Sequence, residues 1–351
     1  MNASPADFAA LRSGLPAIDT DTELVLRSDD GRACALLRAS SAPPRNFVLD
    51  ASGEVRELAL AHDTQLPAAG LFLAPAEVQA ALSSVLGPVT ELQLVAWRPG
   101  KRAVVRMRRG RETVFVKFLD RKTWTRASAV FASLADSVGA LHFARPMCLL
   151  PELFAYAAMA VPGQSLREHL ARGNAPSWFL VDAAVRALAT APCADDLPRH
   201  DFASARDAAA KMLRKGAVVV PELDDLAARI EQLRAPEDSH EGLVHGDLHD
   251  KQVFLTAAGA WLIDLEGVGR GDANFDLVNL AEHLRLRALQ QSGIDDGAAD
   301  AMLDRFAMPS PLRSRWQACV RARLCGVYAM RPRWADLTRV LVSEVTRLLA
   351  L

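Results

Sequence analysis

The stretch LVHGDLHDKQVFLTAAGAWLIDLEG, residues 243–267, determines how the rest of the chain is interpreted. Two apolar residues lead into a loop dense in ionisable groups. Two short apolar runs follow, separated by a turn at residues 257–259. This pattern predicts strand, tight loop, strand, turn and strand, with Asp264 and Glu266 after the last strand. Short strands bounded by glycine turns would hold these two carboxylates in fixed positions.

Three polar residues of this stretch have the spacing that phosphoryl transfer requires. Asp247 and Gln252 are five positions apart, as in the D-x-x-x-x-N catalytic loop of kinases. Asp264 ends the next hairpin, where a kinase places its main metal carboxylate. One carboxylate would orient an acceptor hydroxyl and take its proton. A second set of oxygen ligands would hold Mg²⁺ against the phosphates.

The segment HGDLHDKQV, followed by LIDLEGVGRGDANFDLVNLAEHL, resembles the aminoglycoside phosphotransferase and choline kinase family. The family motifs are H-G-D-x-x-x-x-N and I-D-[FWL]-[DE]. The resemblance implies that Asp247 is the catalytic base and that Gln252 and Asp264 bind Mg²⁺. Gln252 departs from the family Asn, because it keeps the oxygen ligand but adds a methylene. His245 is interpreted as a residue that packs within the loop, and the resemblance implies that Asp276 braces the loop by hydrogen bonds.

The nucleotide-binding residues implied by the resemblance lie earlier in the chain. Residues 91–119 predict three strands, and the first hairpin of a kinase folds over the nucleotide phosphates. Its tip here contains Gly100 and Lys101. Lys117 alternates with apolar residues in the third strand and resembles the kinase lysine that contacts the α- and β-phosphates. Met159 and Val161 match the hinge whose backbone binds adenine.

The function implied by the resemblance is that of a small-molecule kinase. Such an enzyme transfers the γ-phosphoryl group of ATP, or of GTP, with Mg²⁺, to a hydroxyl of a small molecule. Residues 267–271 predict a short flexible link where a protein kinase has a long activation segment, which favours a small-molecule acceptor over a protein. The identity of the acceptor is left open, and so is the oligomeric state.

Two other functions compete with this one. Gln252 departs from the motif, and the helix predicted at residues 123–135 contains no Glu to pair with Lys117. Both departures favour a nucleotide-binding pseudokinase or scaffold without turnover. The sequence G-D-L-H, residues 246–249, also resembles part of a two-metal phosphoesterase. A site of that kind needs further D-x-H and G-N-H segments, and neither is found.

The predicted fold class is α+β, a two-lobed protein-kinase-like fold with an antiparallel-sheet N-lobe and a mostly helical C-lobe. Residues 1–88 form an N-terminal extension of short strands plus a helix. Residues 89–161 form the nucleotide-binding N-lobe. Residues 162–351 form the helical C-lobe with the catalytic loop and the acceptor site.

The composition is typical of a soluble globular protein, since half of the 351 residues are apolar and the net charge is −1. This near-neutral balance gives no indication of nucleic-acid or membrane partners. The five cysteines, Cys193 among them, have no C-x-x-C spacing and predict free thiols in a reducing compartment. With neither a signal-peptide pattern nor a long apolar run, the expected location is cytoplasmic.

Overall fold

The computed structural model describes residues 3–29, 31–39, 42–174, 176–192, 197–236, 241–291, 297–306, 308 and 310–350. It divides into two compact units. The first comprises Met1–Ser128, Pro146–Ala160 and Met330–Arg333, and the second comprises Ala129–Arg145, Val161–Ala329 and Trp334–Leu351. Four of the predicted free thiols are found as free cysteines, and Cys193 lies outside the described residues.

The helices are α1 Pro5–Gly14, α2 Pro75–Leu86, α3 Arg121–Ser133, α4 Leu166–Ala171, α5 Trp178–Thr190, α6 Phe202–Ala217, α7 Leu223–Glu231, α8 Asn274–Gln290, α9 Ala298–Arg305, α10 Ser310–Ala329 and α11 Ala335–Leu348. In the described part of the chain, no helix combines the length and the apolar character needed to cross a bilayer.

The strands are β1 Glu23–Asp29, β2 Arg32–Arg38, β3 Arg45–Leu49, β4 Val55–Leu58, β5 Thr90–Arg98, β6 Arg102–Arg109, β7 Glu112–Leu119, β8 Ser137–Val138, β9 Leu141–Phe143, β10 Cys148–Leu150, β11 Ala155–Met159, β12 Gln164–Ser165, β13 Arg199–His200, β14 Glu241–Val244, β15 Val253–Thr256, β16 Gly259–Leu262 and β17 Gly269–Asp272.

The first unit contains two antiparallel sheets, with strand orders β1-β2-β3-β4 and β10-β11-β7-β6-β5. The period of two predicted for β7 is present, because Val114, Val116 and Phe118 are buried on one face. Val78 and Leu82 of α2 belong to the same core cluster. Burying each of these side chains contributes roughly 1.5–3 kcal/mol, so α2 and the sheet stabilise each other.

The N-terminal extension shares this core with the second sheet. Leu60, Leu66 and Ala69 follow β4 and belong to the cluster that contains Val105 and Met107 of β6. Because these residues bury their apolar surface together, the extension is part of the same compact unit as the predicted nucleotide hairpin.

The second unit is mostly helical and contains two small sheets. The strand orders are β12-β15-β16-β9-β8 and β13-β17-β14. The antiparallel hairpin β15–β16 and the strand β14 are the elements predicted from residues 243–262. The polar loop at residues 245–252 connects β14 to β15, so these short strands hold the loop at both ends.

In the segment predicted as a flexible link, residues 267–271, the last three residues instead enter a sheet as part of β17. This strand pairs in parallel with β13 and antiparallel with β14. A Cβ on Gly269 would lie 2.2 Å from the carbonyl oxygen of Pro198, and one on Gly271 would lie 2.1 Å from that of His200. The glycines are therefore explained by the close approach of a neighbouring backbone, which glycine in a strand often indicates.

Candidate active site

His245 connects the start of the polar loop to the end of β16. Its ring Nε2 lies 2.8 Å from the carbonyl oxygen of Ile263. Because a carbonyl oxygen only accepts, Nε2 carries the hydrogen. The ring is 1% exposed, so this bond fixes the loop beside the residue that precedes Asp264. His245 thus has a positional role within the second unit.

Asp276, on the first turn of α8, holds the backbone of the same loop. Its carboxylate accepts hydrogen bonds from the N–H of His245 at 2.5 Å and from the N–H of Gly246 at 3.1 Å. Gly246 has a φ of 82°, and a Cβ there would lie 2.7 Å from the ring of His200. Any side chain at residue 246 would clash with the ring of His200 and would be strained at this positive φ, so the position requires glycine.

Burial raises the pKa of Asp276 to about 6, although the ring of His245 and the backbone hydrogen bonds favour its ionised form. A raised folded-state pKa means that its contribution to stability is present below the unfolded pKa and is lost as pH rises through about 6. From pH 5 to pH 7, wild-type protein is therefore expected to lose about 1.4 kcal/mol of unfolding free energy relative to Asp276→Asn.

Urea unfolding of both proteins at several pH values between 5 and 7 measures this difference. The comparison with Asp276→Asn cancels the titration of all other groups, so only the difference is interpreted. A stability difference that does not change over this pH range would contradict the raised pKa.

Asp247 is the next residue of the loop, and its side chain is 49% exposed. Its Oδ1 accepts a hydrogen bond of 2.6 Å from Arg323 of α10. Desolvation raises the pKa of Asp247, but the charges of Arg323 and His249 outweigh it and hold that pKa below its usual value. The carboxylate is therefore ionised at neutral pH and partly open, which is what accepting a hydroxyl hydrogen requires.

A stripe of polar residues on α8 supports the remainder of the loop. Asn279 donates to the carbonyl oxygen of Leu248 at 2.7 Å, and Arg287 donates to the fully buried carboxylate of Asp250 at 2.8 Å. Between them, the ring of His283 lies 4.8 Å from the ring of His249. Desolvation lowers the pKa of His283 well below its usual value, so this ring is neutral.

Gln252 and Asp264 lie at the same end of the β15–β16 hairpin. The N–H of Ile263 donates to the carbonyl oxygen of Gln252 at 3.1 Å, and Asp264 is the next residue. The Oε1 atom of Gln252 accepts from the N–H of His249 at 3.1 Å. Asp264 has a left-handed backbone, with φ 61° and ψ 46°. Such a conformation is uncommon for a residue other than glycine and is found frequently at functional sites.

The donor set at this end of the hairpin fits Mg²⁺. An amide oxygen and a carboxylate are hard oxygen ligands, and Oε1 of Gln252 retains a second lone pair. Among the residues the structure describes, no group of three or more His, Cys, Asp or Glu is placed to hold a metal ion. A kinase magnesium does not need such a group, because phosphate and water oxygens complete its shell.

In the first unit, Lys117 lies on the half-buried face of β7, opposite the core side chains. Its cross-strand partners are Val104 of β6 and Tyr156 of β11. The ammonium lies 5.6 Å from the centre of the Tyr156 ring, within the range of a cation–π interaction. The structure thus places the charge of Lys117 on the sheet face away from the core, as the period-two pattern predicts.

The predicted phosphate-binding tip joins β5 to β6, and both of its backbone N–H groups are already used. The N–H of Gly100 donates to Oδ2 of Asp63 at 2.8 Å, and that of Lys101 donates to the carbonyl oxygen of Arg98 at 3.0 Å. A phosphate contact through these two groups would require those bonds to open. The side chain of Lys101 is exposed.

Asp63 belongs to the N-terminal extension and holds this hairpin in place. Its Oδ2 also accepts from the indole N–H of Trp97 at 3.1 Å. Asp63→Ala leaves two partly buried donors without an acceptor and is expected to cost about 1–3 kcal/mol. Urea unfolding measures this loss. The matched control is Asp63→Asn, which retains an acceptor oxygen and should lose less. Equal losses in both variants would show that the charge, and not the hydrogen bonds, stabilises the hairpin.

The predicted adenine-binding segment follows the last residue of β11. Met159 pairs with Val114 of β7, and the N–H of Ala160 donates to the carbonyl oxygen of Thr113 at 2.9 Å. The chain leaves the first unit after Ala160, and Val161 begins a segment of the second.

Sequence reasoning missed four residues of this site. The residues Asn279, His283 and Arg287 are spaced by four along α8, which is a signal that the sequence contains. Arg323 lies 76 positions after Asp247 and carries no motif, and only the folded chain brings the two together.

A model of the phosphotransferase enzyme family matches residues 17–319. The chain belongs to this family. The predicted recognition and the predicted enzyme class, a phosphotransferase, are therefore confirmed. No curated protein matches the sequence.

Solved structures similar to this phosphotransferase include a choline/ethanolamine kinase family protein from Mesorhizobium loti. It has 16% identity and a TM-score of 0.50, covering 78% of this chain and 97% of that one. A thermostable mutant of aminoglycoside phosphotransferase APH(4)-Ia, in a ternary complex with ADP and hygromycin B, has 12% identity and a TM-score of 0.51, with coverages of 78% and 98%.

The choline kinase LicA from Streptococcus pneumoniae has 11% identity and a TM-score of 0.50. It covers 78% of this phosphotransferase, which in turn covers 97% of LicA. At these identities the likenesses show the fold, and they confirm the predicted protein-kinase-like α+β class.

Proposed function

We propose that this phosphotransferase transfers the γ-phosphoryl group of ATP or GTP to a hydroxyl of a small molecule. The observation that carries the proposal is the state of Asp247. It is ionised and partly open, it is hydrogen-bonded to Arg323, and its two chain neighbours, Gly246 and Leu248, are held by hydrogen bonds from α8. A carboxylate held in this way accepts the hydrogen of an acceptor hydroxyl and orients its oxygen for attack.

The other predicted site residues would contact the nucleotide or the metal, or would support the loop. Gln252 and Asp264 would hold Mg²⁺, which neutralises charge on the phosphates when bound. Lys117 and the side chain of Lys101 would contact phosphate oxygens, with the hairpin turn at Gly100. The backbone at Met159 and Val161 would bind the base. His245 and Asp276 would keep the loop in position through their hydrogen bonds to the backbone.

The bonds in this transfer balance without another reactant. The acceptor oxygen forms a bond to the γ-phosphorus as the bond from that phosphorus to the bridging oxygen breaks, which releases the nucleoside diphosphate. The hydroxyl proton passes to Asp247 and then to solvent. The protein itself has little covalent chemistry to perform. Catalysis therefore depends on positioning the acceptor and the nucleotide and on stabilising the charge of the phosphates.

A screen tests the proposal. Purified protein is incubated with Mg²⁺, ATP or GTP and a panel of hydroxyl compounds that are cationic, neutral or anionic. Mass spectrometry of the acceptors detects the phosphorylated product. We expect transfer to at least one class of acceptor, and chelation of Mg²⁺ with EDTA should abolish it. Nucleotide loss without a phosphorylated acceptor would indicate hydrolysis and contradict the proposal.

A pseudokinase remains the second candidate function, because Gln252 replaces the family Asn and α3 contains no acidic residue. The two functions give different results in one pair of measurements. A pseudokinase would show a higher melting temperature with Mg²⁺ and ATP and no transfer to any acceptor. An active enzyme would show both the thermal shift and the transfer.

A further inference from the structure

His249 lies in the polar loop between Asp247 and Gln252, and the proposed function assigns it no role. Its Nδ1 atom accepts a hydrogen bond of 3.2 Å from the backbone N–H of Lys251. A neutral imidazole whose Nδ1 accepts carries its hydrogen on Nε2, and an imidazolium carries a hydrogen there as well. The Nε2 atom of His249 is therefore a hydrogen-bond donor whatever the charge of the ring.

The protein leaves this donor unused. In the described part of the chain, no group accepts a hydrogen bond from Nε2 of His249. The side chain is 18% exposed, and Nε2 is not sealed from solvent. It differs in this from the two ring nitrogens of His283, which are both buried and unpaired. The donor of His249 thus faces accessible space, where a ligand oxygen can accept from it.

Two contacts hold the imidazole of His249 in place. One is the hydrogen bond from Lys251, and the other is the ring of His283, whose centre lies 4.8 Å away. His283 is 8% exposed and belongs to α8, so it supports the ring from the interior of the second unit. A donor that is already held in position needs no reorganisation to bind an oxygen that carries negative charge. Donors of this kind stabilise charge during a reaction.

The neighbours of His249 indicate which oxygen that is. Its side chain is close enough to Asp247, the proposed base, for the two to interact electrostatically. Its backbone N–H donates to Oε1 of Gln252, a proposed magnesium ligand, at 3.1 Å. In phosphoryl transfer the γ-phosphoryl group lies between the attacking hydroxyl oxygen and the phosphate oxygens that the metal binds. A donor between the residues for these two partners is suited to that group.

We propose that His249 donates a hydrogen bond from Nε2 to an oxygen of the γ-phosphoryl group, both in the bound nucleotide and during its transfer. The inference rests on the proposed function, because it takes Asp247 as the base and Gln252 as a metal ligand. His249 keeps its hydrogen throughout, and the proton of the acceptor hydroxyl still passes to Asp247. The residue adds a contact that a nucleoside diphosphate cannot make.

The test compares nucleotides that differ in the γ-phosphoryl group. Isothermal calorimetry with Mg²⁺ gives the dissociation constants of AMP-PNP and ADP, and of GMP-PNP and GDP, for the full chain. Two variants separate the two ring nitrogens. His249→Asn keeps an acceptor near the position of Nδ1 and loses the donor, whereas His249→Gln places an amide donor near the position of Nε2. His169→Asn, on α4 and outside the loop, is the matched control.

We expect His249→Asn to weaken binding of the triphosphate analogue by about tenfold or more, the effect of losing a hydrogen bond to a charged group, and to leave diphosphate binding nearly unchanged. His249→Gln should keep part of the lost affinity, and His169→Asn should keep all of it. Melting temperatures without nucleotide check that each variant is folded. Equal losses for triphosphate and diphosphate, or no loss for either, would overturn the inference and leave Nε2 as a donor to water.

Transfer rates separate this inference from the proposed function. With an acceptor from the screen, kcat of His249→Asn should fall by about tenfold or more. If the variants show the expected difference in binding but no acceptor is phosphorylated, the γ-phosphoryl contact stands and the proposed function fails. If an acceptor is phosphorylated and His249→Asn has the kcat and the triphosphate affinity of wild type, the proposed function stands and the γ-phosphoryl contact fails.

Discussion

Asp247→Asn is expected to lower kcat for phosphoryl transfer by about 10²–10⁴-fold, the usual contribution of general acid–base catalysis. Asn keeps the shape of Asp and an oxygen that accepts from Arg323, so the loop is expected to keep its conformation. The amide is a poor proton acceptor, and the hydroxyl loses the negative charge that orients it. The loss should therefore be in kcat, with little change in nucleotide binding.

Initial rates on an acceptor identified by the screen measure the effect. The thermal shift caused by Mg²⁺ and nucleotide shows whether nucleotide binding is intact. Asp336→Asn is the matched control, since Asp336 lies on α11 and its side chain is 93% exposed. An Asp247→Asn protein with the rate of wild type would show that another group accepts the hydroxyl proton.

Local sequence patterns predicted the elements that carry the site. The alternation of Val114, Val116 and Phe118 predicted β7 and the opposite face for Lys117, because a strand repeats every two residues. The apolar runs around residues 253–263 predicted the hairpin that brings Gln252 and Asp264 to one end. In each case the pattern lies within one short stretch of the chain, so the covalent connection between neighbouring residues is enough to place their side chains.

The side-chain contacts of the candidate site could not be predicted in the same way. Arg323 reaches Asp247 from α10, and Asp63 reaches Gly100 across 37 positions. Such pairings depend on how elements pack, and one sequence contains no spacing that specifies them. The flexible link predicted at residues 267–271 was wrong for a related reason. Gly269 and Gly271 allow β17 to approach the backbone of residues 198–200.

Helices α8 and α10, which both contact the polar loop at residues 245–252, are joined by a buried ion pair. Breaking this pair is expected to have the largest effect on stability. Arg321 of α10 is 1% exposed and Glu282 of α8 is 2% exposed. Their side chains form hydrogen bonds of 2.7 and 2.8 Å, and Gln317 donates to Glu282 at 2.9 Å. Glu344 of α11 lies 3.2 Å from the same guanidinium.

Arg321→Ala is expected to lower the unfolding free energy by about 3–5 kcal/mol, because it removes the cation that hydrogen-bonds the buried carboxylate of Glu282. Of the described residues, only Arg285, 3.8 Å away, is then left beside that carboxylate as a counter-charge. Denaturation in urea measures this loss. Arg339→Ala, which breaks an exposed pair with Asp336, is expected to cost less than about 1 kcal/mol and is the control. Since α8 carries Asp276 and α10 carries Arg323, this variant should also weaken the hold on Asp247. A loss as small as that of the control would mean that apolar packing alone holds α8 against α10.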